Sequence, residues 1–209
     1  MESAATGRTR THMTLGLGWH TAGATVGIAI GTIGGTYAVE QYAWGWDTNR
    51  EFHRHLAQIM QNYRWQDVSF LAVTRGPGSF TTVRLGLVTA RILAQELNIS
   101  LFALSTLGVA SMNVNEPVAV AWPAGQDLVY GGIYHQGKVL HPDQVFTLQD
   151  WQTLVKQWPE PLRVLEDVHT HAPADRLLTW AESLWVQGER PHWSTAQPFY
   201  GRSPVAAKP

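Results

Sequence analysis

The chain has no cysteine among its 209 residues, so disulfides, thiolate catalysis and thiolate metal sites are all closed to it. That composition suits a reducing compartment, and the cytoplasm is the expected location. Charge is also scarce: Asp, Glu, Lys and Arg make up 15% of the residues and the formal net charge is -1. No overall field therefore draws the chain to nucleic acid or to an anionic lipid surface. Any RNA contact is expected to be local or made through a partner. Long apolar runs are missing too. The least charged stretch, Leu97 to Asn115, is broken by Asn98, Ser100, Ser105, Thr106, Ser111 and Asn113, which makes it too polar to span a bilayer and predicts a buried strand followed by a short helix. Residues 1–13 lack the apolar core of a secretory signal and read as a flexible tail, with Met13 available as the start of the folded structure.

Metal-ligand spacing is absent as well. None of the nine histidines lies three or four residues from another, so no helical His pair exists. His53 and His55 fall on different sides of their helix. His169 and His171 share a face only if their segment is extended, which leaves a weak surface metal site or, more simply, a solvated loop. Nothing here predicts a resident metal or cofactor.

What the sequence does have is α/β patterning. Leu15 to Leu17, Val26 to Ile30 and Thr36 to Tyr42 are β-prone runs separated by glycine-rich turns, which predicts an antiparallel meander. Thr48 and Glu51 have capping-box spacing, and Phe52, Leu56, Ile59, Met60 and Tyr63 then recur at helical intervals. Phe70 to Val73 reads as a strand buried on both faces, Phe80 to Leu97 as a long helix with Ser79 as its N-cap, and Leu101 to Leu104 as the next strand. Strand, helix, strand in that order implies a parallel pair with a right-handed crossover. The texture changes near Asn113. Strands are expected at Val118 to Ala121, Val129 to Tyr134 and Leu162 to Leu165, and helices at Leu148 to Gln157 and Pro173 to Leu184. The expected division is a lobe over residues 14–112 and a second over 113–209, with a partly flexible end from Pro198.

The turn Arg75-Gly76-Pro77-Gly78-Ser79 joins the buried strand to the long helix. It has two readings. Amides at a helix start can cradle a phosphate or another anion. Equally, two glycines and a capping serine are what a tight structural turn needs, and no P-loop lysine follows; this second reading is the simpler.

The run Leu71-Ala72-Val73-Thr74-Arg75-Gly76-Pro77-Gly78-Ser79-Phe80-Thr81-Thr82-Val83-Arg84-Leu85-Gly86-Leu87, continued through Ala90-Arg91-Ile92-Leu93-Ala94 and Leu104-Ser105-Thr106-Leu107, closely resembles the TsaB family, also called YeaZ. The resemblance covers about Leu15 to Ala110, and Pro198-Phe199-Tyr200-Gly201-Arg202 is similar to the family's closing pattern. It implies the actin-like, ribonuclease-H-like fold shared by sugar kinases, Hsp70 and actin, with two lobes and the second reduced. It also implies a scaffold without catalytic residues of its own, pairing with the catalytic subunit TsaD and the ATPase TsaE. Their complex adds threonylcarbamoyl to the adenosine beside the anticodon of tRNAs that read codons beginning with A. Homodimers are implied when the partner is absent, tRNA is met only through the complex, and nucleotide is expected only at the junction with TsaD.

Two departures bear on the enzyme alternatives. Where the family's first strand ends in an acidic turn, this chain has Leu17-Gly18-Trp19-His20-Thr21, and the second lobe has Trp122-Pro123-Ala124-Gly125 in place of an Asp-Ala-Arg turn. An actin-like phosphotransferase or ATPase needs a carboxylate at that strand end to hold its metal. A metallopeptidase of the M22 type needs the missing histidine pair. His20, with no acidic partner in view, reads as a structural histidine.

Gly86, Ala90 and Ala94 are spaced four apart, a flat row that another helix could approach closely. Together with the neighbouring Val83, Leu87 and Arg91, and with Phe52, Leu56 and Met60 on the preceding helix, this row could pack on the sheet or meet another subunit. The resemblance favours the second, because family members use these two helices to meet TsaD. The tryptophans, ten in all, read as packing of a small lobe rather than as base-stacking platforms.

Overall fold

The structure, a computed structural model, describes residues 14–165 and 174–201. Its first sheet holds β1 (Leu15–His20), β2 (Val26–Thr32), β3 (Tyr37–Tyr42), β4 (Val68–Thr74) and β5 (Ser100–Leu104), in the order β3-β2-β1-β4-β5. β1, β2 and β3 form the expected antiparallel meander, while β4 and β5 run parallel to β1. Alternation along β1 decides what each face can hold. Leu15, Leu17 and Trp19 point into one core. Gly16 and Gly18 point the other way, where a Cβ at Gly16 would stand 2.6 Å from Phe70 and 3.0 Å from Leu178. The strand is therefore buried on both sides, with small residues where a helix lies tight against it.

One side carries α1 (Thr48–Ile59) and α2 (Phe80–Leu97). Phe52, Leu56 and Met60 from the α1 segment and Leu87, Ala90 and Ala94 from α2 bury themselves against Leu15, Leu17, Trp19, Leu71 and Val73. Two caps differ from the sequence pattern. Asp47 occupies the N-cap position of α1, and the Thr48 hydroxyl donates instead to the Gly45 carbonyl at 2.8 Å. Ser79 holds the N-cap position of α2 but makes no side-chain capping bond. At its other end α2 stops at Asn98, whose φ of 53° is the left-handed conformation that asparagine tolerates.

The second sheet holds β6 (Val118–Gly125), β7 (Leu128–His135), β8 (Lys138–Thr147) and β9 (Arg163–Leu165), in the order β8-β7-β6-β9. β8 is not marked by alternation in the sequence. Pro142 lies within it and its pairing with β7 shifts register nearby, so the period of two is interrupted. The turns are clearer in the backbone: Gln126 and Asp127, and then Gln136 and Gly137, all have positive φ, as two-residue hairpins require.

Two helices lie between the sheets, α3 (Thr106–Ser111) and α5 (Ala174–Val186). Leu107 and Val109 of α3 and Leu177, Leu178, Trp180 and Ala181 of α5 share one core with Phe70, Ala72 and Phe102 of the first sheet and Val118, Val120, Trp122 and Tyr134 of the second. Although α5 follows the second sheet in sequence, it packs closely on β1, β2 and β4. A last helix, α4 (Leu148–Gln157), covers the outer face of the second sheet through Trp151. The layers thus run helix, sheet, helix, sheet, helix.

A matched pair of substitutions tests which way α2 faces. Ala90 is fully buried against the sheet, whereas Ala57 on α1 is exposed. Ala90→Glu should cost about 3 kcal/mol or more in urea unfolding, because a carboxylate would be placed in the core. Ala57→Glu should change stability by less than about 0.5 kcal/mol.

Candidate functional site

The carboxyl ends of β1, β4 and β5 converge at the boundary between the sheets, the place where open α/β sheets bind ligands. β1 ends in His20, which is 1% exposed, and neither ring nitrogen has a hydrogen-bond partner. Burial disfavours the charged ring and lowers its pKa to about 4. A neutral, enclosed imidazole stands where a metal-holding carboxylate would be needed. Among the described residues, no group of three His, Asp or Glu side chains could hold a metal ion. His169 and His171 lie outside the described residues.

The turn after β4 is enclosed by backbone on three sides. Gly76 has φ 101°, and a Cβ there would stand 2.8 Å from the Phe199 carbonyl oxygen. A Cβ on Gly78 would stand 2.4 Å from the Ala22 oxygen, the same atom that accepts the Ser79 amide at 2.9 Å. The Gly76 carbonyl accepts the Thr106 amide at 2.9 Å, and Pro77 follows it through a cis bond. Arg75 accepts the Phe199 amide on its carbonyl at 2.8 Å, and its guanidinium lies 5.9 Å from the Phe199 ring.

A buried polar chain crosses the same boundary, and nothing in the sequence spacing announces it. Ser105 Oγ caps α3 by accepting the amides of Leu107 at 3.1 Å and Gly108 at 3.2 Å. The Tyr134 hydroxyl lies 3.0 Å from Ser105 Oγ and donates to Asp143 Oδ1. Burial, more than any other cause, raises the pKa of both Asp143 and Tyr134, with Asp143 also raising that of Tyr134. The chain pins β7 and β8 to the start of α3. Its members come from positions 29 and 9 residues apart, which only the folded topology brings together.

The two helices on the outer side of the first sheet correct one expectation. Phe52, Leu56, Met60, Val83, Gly86, Leu87, Ala90 and Ala94 do not line an open surface; all are buried within this chain. The physical reason is the close approach of α2 to the sheet. The Trp19 indole N–H donates to the Gly86 carbonyl at 3.0 Å, and a Cβ on Gly86 would stand 2.4 Å from Thr21 Oγ1. Arg91 is partly exposed, 6.0 Å from the Trp193 ring. The open face of α2 is a different row at the same spacing, Phe80, Arg84, Val88 and Ile92. Its apolar members are 45%, 53% and 61% exposed. Beside it, His53 of α1 meets Thr89 of α2 at 2.9 Å, and Ala57 is exposed one turn further along α1. The sequence showed a four-residue period on α2 without showing which of two rows faced the sheet. Side-chain size separates them: the small row fits the close contact and the large row cannot.

Two sheets in this order, each mixed, with a helical layer between them, define an actin-like, ribonuclease-H-like protein. The family model described as TsaD, tRNA N6-adenosine threonylcarbamoyltransferase, matches residues 50–167. Among characterised relatives, the tRNA threonylcarbamoyladenosine biosynthesis protein TsaB of Escherichia coli is 31% identical over 171 residues, covering 68% of this chain and 74% of that protein. The Bacillus subtilis protein of the same name is 34% identical over 107 residues, which is 48% of this chain and about half, 47%, of that protein. In fold, a Pseudomonas aeruginosa protein described as similar to peptidase YeaZ superimposes with a TM-score of 0.76 at 22% identity, covering 91% of this chain and 100% of that one. The chain belongs to the TsaB (YeaZ) family.

The buried His20 gives a pH test. With the folded pKa near 4 and the ordinary value at 6.5, the unfolded chain takes up the proton first as pH falls. Stability is therefore complete above about pH 6.5 and is lost as pH falls towards 4, by about 3 kcal/mol from this group. Urea unfolding of His20→Leu across that window should lack this share of the acid loss. Parallel curves for the two proteins would contradict the buried, unpartnered histidine.

Proposed function

We propose that this chain is a non-catalytic subunit in tRNA threonylcarbamoyladenosine biosynthesis. It presents the outer face of α1 and α2 to a TsaD-like catalytic subunit that works with a TsaE-like ATPase. The observation that carries this reading is the exposed row on α2: Phe80, Val88 and Ile92 form an apolar stripe on a helix already fully packed on its other side. Two side-by-side helices with such a stripe suit a helical contact with a partner of similar architecture. In the absence of that partner the same face pairs with a second copy. The tRNA is reached through the complex, in the cytoplasm; no described helix is long and apolar enough to cross a membrane.

An ATPase or phosphotransferase reading has less support, because His20 fills the strand end that a metal-holding carboxylate needs. The metallopeptidase reading has no ligand set among the described residues. The Arg75 to Ser79 turn is read as structural, since its glycines are required by contacts with Ala22 and Phe199.

Reconstitution tests the proposal. Mixed with the TsaD-like and TsaE-like proteins of the same organism, the wild-type chain should support threonylcarbamoyl transfer to tRNA, and alone it should be inert. Val88→Glu should keep its melting temperature and lose partner binding by roughly a hundredfold, together with the transfer activity. Turnover by the isolated chain, abolished by changing one of its own residues, would contradict the scaffold role.

A further inference from the structure

The exposed row on α2 is not uniformly apolar. Arg84 sits within it, one turn from Phe80 and one turn from Val88. Its guanidinium lies 4.0 Å from the Phe80 ring centre and 5.1 Å from the Tyr200 ring centre, and the two rings are themselves 5.1 Å apart. Its ε N–H donates to the Tyr200 hydroxyl. That holds the long side chain beside Tyr200, and among the described residues no carboxylate pairs with its guanidinium.

Tyr200 is itself held. The Phe199 amide is bound to the Arg75 carbonyl, the Tyr200 carbonyl accepts from the Tyr130 hydroxyl at 3.4 Å, and a Cβ at Gly201 would stand 2.5 Å from the Tyr130 ring. The segment Phe199 to Gly201 thus crosses from the second sheet to the start of α2 and delivers an aromatic ring to the edge of the stripe.

We infer that Arg84 is a preorganised cation of the docking face, positioned by Tyr200, and that the partner places a carboxylate against it. The inference rests on the docking reading above and adds the partner's chemistry. Charge complementarity carries it: an arginine whose rotamer is already fixed loses little freedom when it binds. Its planar fork matches a carboxylate with two parallel hydrogen bonds. An apolar stripe alone would leave this cation unpaired at the centre of a contact. A carboxylate opposite it makes the contact selective as well as adhesive.

The experiment measures affinity of the full chain for the purified TsaD-like subunit at low and high salt, with Arg84→Met, Tyr200→Leu and Ile92→Glu beside the wild type and melting temperatures recorded for each. Arg84→Met should bind about tenfold more weakly at low salt and lose the salt dependence of the wild type. Tyr200→Leu should bind about threefold more weakly while keeping the salt dependence, because the cation remains but is no longer held. Wild-type affinity and salt dependence in Arg84→Met, with binding lost in Ile92→Glu, would overturn the carboxylate while leaving the helical docking face intact. Wild-type affinity in Ile92→Glu as well would overturn the docking reading itself. Binding of tRNA by the isolated chain that disappears in Arg84→Met would assign the cation to a phosphate instead and overturn the inference.

Discussion

The contact between α2 and the first sheet sets the rest of the structure. Gly86, Ala90 and Ala94 let the helix lie close enough for the Trp19 indole to bond a carbonyl in the middle of the helix, a group that already serves the helix ladder. A larger residue at position 86 would strike Thr21. With the inner row committed in this way, the large residues at positions 80, 84, 88 and 92 have nowhere to go but outward. An exposed apolar row is therefore the geometric counterpart of a tight inner contact, and the outer face of α2 follows from how the core is packed.

The second constraint lies between the sheets. The shared core of α3 and α5 fills the space between the two sheets, and the Ser105, Tyr134 and Asp143 chain ties the second sheet to the first through α3. Burial raises the pKa of the Asp143 carboxyl and lowers that of the His20 ring, in each case shifting the group towards its neutral form. They behave as parts of a closed interior.

Much of this was legible in the sequence where local chemistry decides the outcome. The meander, the buried strand at Phe70 to Val73, the long helix from Phe80 and the helix Leu148 to Gln157 all follow from periodicity and turn residues, and the family motif named the fold. Three features were not legible, each because it depends on contacts distant in the chain. β8 is hidden by Pro142, whose place in a strand depends on pairing with β7. The polar chain joins residues 105, 134 and 143, which no spacing rule connects. The face of α2 was ambiguous because two rows share one period, and the position of Trp19 and Thr21 under Gly86 shows that the small row meets the sheet.

The central claim is that the outer face of α1 and α2, and not the outer face of the second sheet, meets the catalytic partner. A photo-crosslinking side chain placed at position 92 on α2, and separately at exposed position 164 on β9, would test it most directly when each protein is mixed with the TsaD-like subunit and irradiated. The account predicts a cross-linked heterodimer from position 92 and none from position 164. Efficient capture from position 164 with none from position 92 would contradict it.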